Sequence, residues 1–177
     1  MILRILLVLV LVIVVVAVLF FAATKPSTFH VQKSVTIQAP PEKVFALIAD
    51  FHHWPQWAPQ DREDSTMRRS YSGAASGTGA VSDWTSRGSA GAGRMTMTLA
   101  VPSSKVDVAV DWQKPFKVRN THEFTLTPVG SGTEVRWTAE GTNLYLMKVM
   151  EVFVGVDGLM GKHFVAGLGN LKRVAEE

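Results

Sequence analysis

Between Ile5 and Ala23 the chain runs nineteen residues without a charged, amide or hydroxyl side chain and without Gly or Pro. A helix rising ~1.5 Å per residue over that length spans roughly the 30 Å hydrocarbon layer of a bilayer, and in lipid a helix is the one structure a lone segment can adopt. Residues 1–26 therefore read as a transmembrane anchor and its linker, and residues 27–177 as a separate domain. A cleaved secretory signal is the rival reading, because Arg4 and the amino terminus form a short positive start. Its apolar stretch would be long, and Phe21 would stand third before a cut after Ala23, where a small residue is preferred. Charge flanks both ends of the segment, Arg4 on one side and Lys25 on the other, and the reading leans to a domain outside the cytoplasm.

Of the eighteen Lys and Arg, removing Arg4 and Lys25 leaves sixteen against fifteen Asp and Glu, so the domain itself is nearly neutral. No basic run is longer than two residues, as in Arg68-Arg69, and aromatics are not interleaved with a basic stripe. A nucleic-acid partner is therefore not expected. With no cysteine in the chain, disulfides, thiolate catalysis, Cys-ligated zinc and lipidation through an N-terminal Cys are excluded. The five His show no metal-binding spacing, and no metal or cofactor is expected. Gly77-Thr-Gly79 and Gly91-Ala-Gly93 lack the strand-turn-helix setting of a nucleotide loop, and there is no Gly-x-Ser-x-Gly nucleophile elbow.

After the linker, Val31, Val35, Ile37 and Ala39 alternate with polar residues, the period of a half-buried strand. Pro41 then opens a short helix to about Asp50 with Val44, Leu47, Ile48 and Phe51 on one face. Pro55 prevents a simple continuation, so His52 to Pro59 is a bend or second short helix carrying Trp54 and Trp57. Five or six strands follow. Their inward phases are Met95, Met97 and Leu99; Val106, Val108, Val110 and Trp112; Phe124 and Leu126; and Val135, Trp137 and Ala139. Beyond Asn143 the period is helical, with Met150, Phe153, Asp157, Met160, Phe164, Leu168 and Leu171 on one stripe. The glycines between Gly155 and Gly169 predict close approach to the sheet or a kink near Gly155 to Gly161. These elements predict an α+β domain in which a curved antiparallel sheet wraps a long C-terminal helix.

The ordered set Val31 to Phe45, Ile48-Ala-Asp-Phe51 with Trp54-Pro-Gln-Trp57, and Asp157 to Phe164 with Gly167-Leu-Gly-Asn-Leu-Lys172 resembles the START-like superfamily, in its polyketide cyclase/dehydrase-like (SRPBCC) branch. The resemblance covers residues 29 to 175. It implies a helix-grip fold with a hydrophobic cavity for lipids, polyketides or similar molecules. It does not imply one activity, since members include carriers, cyclases, hydrolases and co-chaperone-like modules. The membrane segment departs from most of the family.

On the strand Val118 to Leu126, the phase that turns Phe124 and Leu126 inward also turns Asn120 and His122 inward. They are candidates to hold the polar end of a ligand, or His122 to act as a base. The competing reading is a core histidine satisfied by a backbone or Tyr partner. Asp157, on the inward helical stripe, is a candidate partner for His122; otherwise it is a structural carboxylate. Trp54 and Trp57 are read as the cavity mouth, with packing of a tight turn as the alternative. Trp84, Met95, Met97, Trp112, Phe153, Met160 and Phe164 complete the candidate lining. The expected function is a membrane-tethered domain that binds or carries an apolar small molecule or lipid, more a binding domain than an enzyme. A cyclase or hydratase using His122 and Asp157, and an interaction module with a filled core, stay open. Catalytic residues and oligomeric state are not legible.

Overall fold

In the computed structural model every residue is described except Ser89 and the side chains of Val156, Asp157 and Leu159. The long apolar run is one helix, α1 (Ile2–Thr24), and it is long and apolar enough to cross a membrane. Alternation then builds β1 (Thr28–Ile37). Pro41 starts α2 (Pro41–Ala49), where its missing N–H and fixed φ cost nothing. Pro55 sits in a 3₁₀ turn (Phe51–Gln56), and Pro59 opens the short α3 (Pro59–Glu63).

Six more strands follow: β2 (Arg68–Gly73), β3 (Ala80–Thr85), β4 (Ala92–Val101), β5 (Lys105–Lys114), β6 (Val118–Val129) and β7 (Gly132–Thr142). Among the described residues they pair with β1 in one antiparallel sheet of order β1-β7-β6-β5-β4-β3-β2. The predicted inward phases hold on β5, β6 and β7, where Val106, Val108, Phe124, Leu126, Val135, Trp137 and Ala139 are buried. β4 departs from its predicted phase. A register shift between Met97 and Leu99 turns Leu99 out, leaving Met95 and Met97 buried and Leu99 exposed.

The C-terminal stretch is two helices, α4 (Tyr145–Val156) and α5 (Lys162–Glu176), separated by a π turn at Asp157–Gly161. Gly155 has φ 68° and ψ 168°, backbone space that residues with a Cβ avoid. This break falls where the glycines placed it, and it resets the helical phase. The single inward stripe therefore fails upstream of the break: Met150 and Phe153 are exposed. Downstream it holds, with Phe164, Leu168 and Leu171 buried against the sheet. Asp157's side chain lies outside the described residues.

α5 packs on the sheet at β1 and β7 and is fastened at its end, where Lys172 Nζ donates to the Thr36 carbonyl (2.7 Å) and Gln38 N donates to Glu176 Oε1 (2.6 Å). Midway, Gly167 lets the helix touch the sheet: a Cβ there would lie 2.8 Å from Trp137 Cζ3 and 3.3 Å from Pro59 Cδ. Since Trp137 is packed on all sides, the ring cannot yield. Gly167→Val should lower stability by about 1–3 kcal/mol through overpacking, read as a drop in the near-ultraviolet circular dichroism melting temperature of the chain in detergent. An unchanged melting temperature would mean that α5 sits farther from the sheet.

Candidate functional site

Where the inner face of the sheet curves away from α5, a cavity of about 240 Å³ remains. Its walls include Trp54, Trp84, Trp112 and Trp137, with Met95 and Val110 from the sheet and Met160 and Phe164 from the helical side. A second chamber of about 320 Å³ adjoins it between β5, β6, β7 and α4, lined by Phe29, Phe116, Val118, Leu144 and Met147 among others. Trp112, Asn120 and Met160 line both chambers, so they form the partition between them.

All five indole N–H groups are already satisfied. Trp54 donates to Ile48 O (2.9 Å), Trp57 to Leu47 O (3.1 Å), Trp84 to Ala90 O (2.9 Å) and Trp137 to His122 Nδ1 (3.1 Å). Asn120 takes the orientation in which its oxygen accepts from Trp112 Nε1 (3.2 Å) and its nitrogen donates to Arg119 O (3.0 Å). The tryptophans thus bring no free N–H to the cavity.

The polar groups left at the wall are few. Arg69 is buried and clamped by Asp61 through two 2.6 Å bonds, with a third to Ser82 Oγ at 3.1 Å, so the pair is internally neutralised. His122 and His163 both line the first chamber. An indole N–H can only donate, so His122 Nδ1 must accept, and the neutral ring carries its proton on Nε2. Burial, reinforced by nearby His163, pushes His122 down to about 4. Burial also lowers His163, against a smaller opposing pull from Glu63. His163 Nε2 is buried without a hydrogen-bond partner among the described residues. The site therefore offers two neutral imidazoles inside an apolar enclosure. Among the described residues no cluster of three His, Asp or Glu could hold a metal ion.

Residues 28–176 match the family profile described as polyketide cyclase/dehydrase and lipid transport. The chain belongs to this family. Solved structures with the same fold include truncated norcoclaurine synthase from Thalictrum flavum, with a TM-score of 0.62 and 14% identity over 87% of this chain and 98% of that one. XoxI from Bacillus cereus superposes with a TM-score of 0.60 at 18% identity, covering 82% of this chain and 94% of that one. The di-domain aromatase/cyclase StfQ of the steffimycin biosynthetic pathway gives 0.60 at 11% identity, covering 84% of this chain and 51% of that one. No curated protein matches the sequence.

Within this family fold, eight of the residues singled out in the sequence meet at the first chamber: Trp54, Trp84, Met95, Trp112, Asn120, His122, Met160 and Phe164. Trp57 and Met97 are sealed in the solid core instead. Trp57 packs between Trp54, Phe124 and Trp137, and the N–H groups of Trp54 and Trp57 cap backbone of α2, so neither side chain is a movable flap at a mouth. Phe153 lies outside both chambers on the exposed face of α4. Sequence reasoning missed His163 and the Arg69–Asp61 pair. His163 precedes Phe164 and sits off the predicted stripe, while β2 is exposed at most positions and has no inward phase to mark Arg69.

The two depressed imidazoles set a pH dependence. Below pH 6.5 the unfolded chain binds protons that the folded chain refuses until about pH 4 at His122, so stability falls as pH drops through that window. For His122 alone the loss approaches roughly 3 kcal/mol. Thermal melts of wild type and His122→Gln, whose amide can still accept the Trp137 N–H, should diverge in slope between about pH 6.5 and 4, with the variant flatter. Parallel slopes would mean that His122 titrates normally.

Proposed function

We propose that this protein is a membrane-tethered domain that binds or carries an apolar small molecule or lipid in its internal cavity. The observation that carries the reading is the pair of adjoining chambers, together about the size of ordinary ligand sites of roughly 300–1,000 Å³, walled by aromatic and aliphatic side chains. Every full charge at the first chamber's wall is paired, and the available hydrogen-bonding groups are neutral. That lining suits a molecule that is mostly hydrocarbon and ends in a carbonyl or hydroxyl. Each buried CH₂ contributes ~0.8 kcal/mol, so ten would offset much of the cost of association. Tethering is supported by α1, which carries no polar side chain from Ile5 to Ala23 and is docked on α4 through the Tyr145 hydroxyl to Leu19 O (2.9 Å).

A cyclase-type catalyst is the second reading, favoured by the two imidazoles beside one chamber. Trp137 occupies His122 Nδ1, which leaves Nε2 as the ring atom for a substrate. A base near pH 4 is weak at neutral pH, which favours His122 as a hydrogen-bond donor over His122 as a proton abstractor.

Native mass spectrometry with organic extraction of the chain purified gently from its own host should show a stoichiometric apolar molecule. Val110→Phe, which fills the first chamber from its wall, should reduce occupancy about tenfold or more with little change in melting temperature. Bare polypeptide that stays bare after exposure to host lipids would remove the carrier reading. A host extract turned over by wild type but not by His122→Ala, with binding retained, would install the enzyme reading.

A further inference from the structure

The helix α4 is inside out for a protein in water. Its two charged residues, Lys148 and Glu151, are 9% and 6% exposed. Lys148 Nζ donates to Ser27 Oγ (3.2 Å), and Glu151 Oε1 accepts from Asn143 Nδ2 (2.8 Å). Meanwhile Leu146, Met150, Phe153 and Val154, at the i, i+4, i+7 and i+8 positions of one face, stand in the open, Phe153 at 70%. Tyr145, at the start of the same helix, is half-exposed as well. A contiguous patch of this kind marks a surface that meets something other than water.

What it meets follows from its neighbour. α4 packs along the end of α1, whose Ala22 is buried there and whose Leu19 carbonyl takes the Tyr145 hydroxyl. Leu19 lies five residues before Thr24, about 7–8 Å along the helix from its end at ~1.5 Å per residue. An interfacial helix lies about 5–10 Å into the boundary of headgroups and acyl chains, so a spanning α1 sets α4 at that depth. The linker cannot lift it away: Asn143 N donates to Ser27 O (2.8 Å), and Asn143 Nδ2 reaches Pro26 O (3.4 Å).

We infer that α4 is embedded in the outer layer of the bilayer beside α1, and that the second chamber fills from the lipid phase past it. Met147 and Glu151 of the same helix, and Leu144 just before it, line that chamber together with half-exposed Phe116. The embedded helix is thus one wall of the route. The inference rests on the tethered-carrier reading for α1 as anchor and for the cargo. The position of α4 is measured without any ligand.

Because the chain has no cysteine, single labels are unambiguous. The full chain carrying Phe153→Cys or Leu146→Cys, labelled with an environment-sensitive fluorophore, is reconstituted in phosphatidylcholine vesicles containing chain-nitroxide lipid. Ser72→Cys, exposed on β2 at the far edge of the sheet from β1, is the control. Both α4 labels should be blue-shifted and quenched by the nitroxide, with Ser72 water-like and unquenched. Water-like α4 labels would overturn the inference. So would labels that are dry but unquenched by lipid and that show energy transfer between copies, since a second chain would then cover the face.

The route is read by the initial rate of pyrenedecanoic acid uptake. Leu146→Glu with Val154→Glu should slow loading from vesicles about tenfold while leaving binding from detergent micelles unchanged. An unchanged vesicle rate overturns the route. If wild type takes up no pyrenedecanoic acid by either path while the α4 labels are quenched, the carrier reading fails for this ligand class and the embedding stands.

Discussion

Trp137 is the point on which the rest of the domain converges. Its ring stacks on Phe164 of α5 at 4.2 Å and 8°, stacks on Phe124 of β6 at 5.0 Å and meets Trp57, at the end of the 3₁₀ turn before α3, edge-on at 6.1 Å. Its N–H fixes the tautomer of His122, and its edge is the surface against which Gly167 must have no side chain. One indole therefore sets the height of the gripping helix above the sheet, seals the core at one end and orients a polar group of the cavity at the other. Such aromatic contacts add about 0.5–1.5 kcal/mol per pair beyond their buried area, but their geometric role is larger than that sum.

The cavity follows from this arrangement. Close contact is enforced where Trp137, Phe164 and Gly167 meet, and the sheet's curvature then opens space farther along, toward Trp84, Met95 and Trp112. The kink at Gly155 with the π turn to Gly161 lets the chain bend off the sheet at that place, so α4 roofs a second chamber instead of filling it. Close packing follows from Gly167, and the second chamber from the kink at Gly155.

Much of the fold was legible because it rests on local periodicity. The inward phases of β5 to β7 held, and Pro41, Pro55 and the C-terminal glycines marked the breaks correctly. Failures came where phase was carried through an irregularity. The bulge after Met97 turned Leu99 outward, and the break after Val154 dissociated Phe153 and Met150 from the stripe of Phe164. Asn120 and His122 were reachable from strand phase; Arg69, Asp61 and His163 were not, because a buried ion pair between α3 and β2 has no spacing of its own in the sequence. The fully sealed positions of Trp57 and Met97 also lay beyond it, since residue type separates a cavity wall from solid core only when the third dimension is known.

The satisfied tryptophans have a consequence for selectivity. Indoles with no free N–H impose almost no directional requirement on what touches them, so on the carrier reading they would penalise neither rotation nor sliding of a hydrocarbon chain. Discrimination at such a surface is by bulk: girth and length are limited, and functional groups along the chain are rejected for lack of partners instead of being recognised. Residual motion of the guest then offsets part of the entropy lost on confinement. On the carrier reading, a container built this way would tolerate homologues that differ in chain length or branching, and would tell them apart chiefly at the end that reaches the imidazoles.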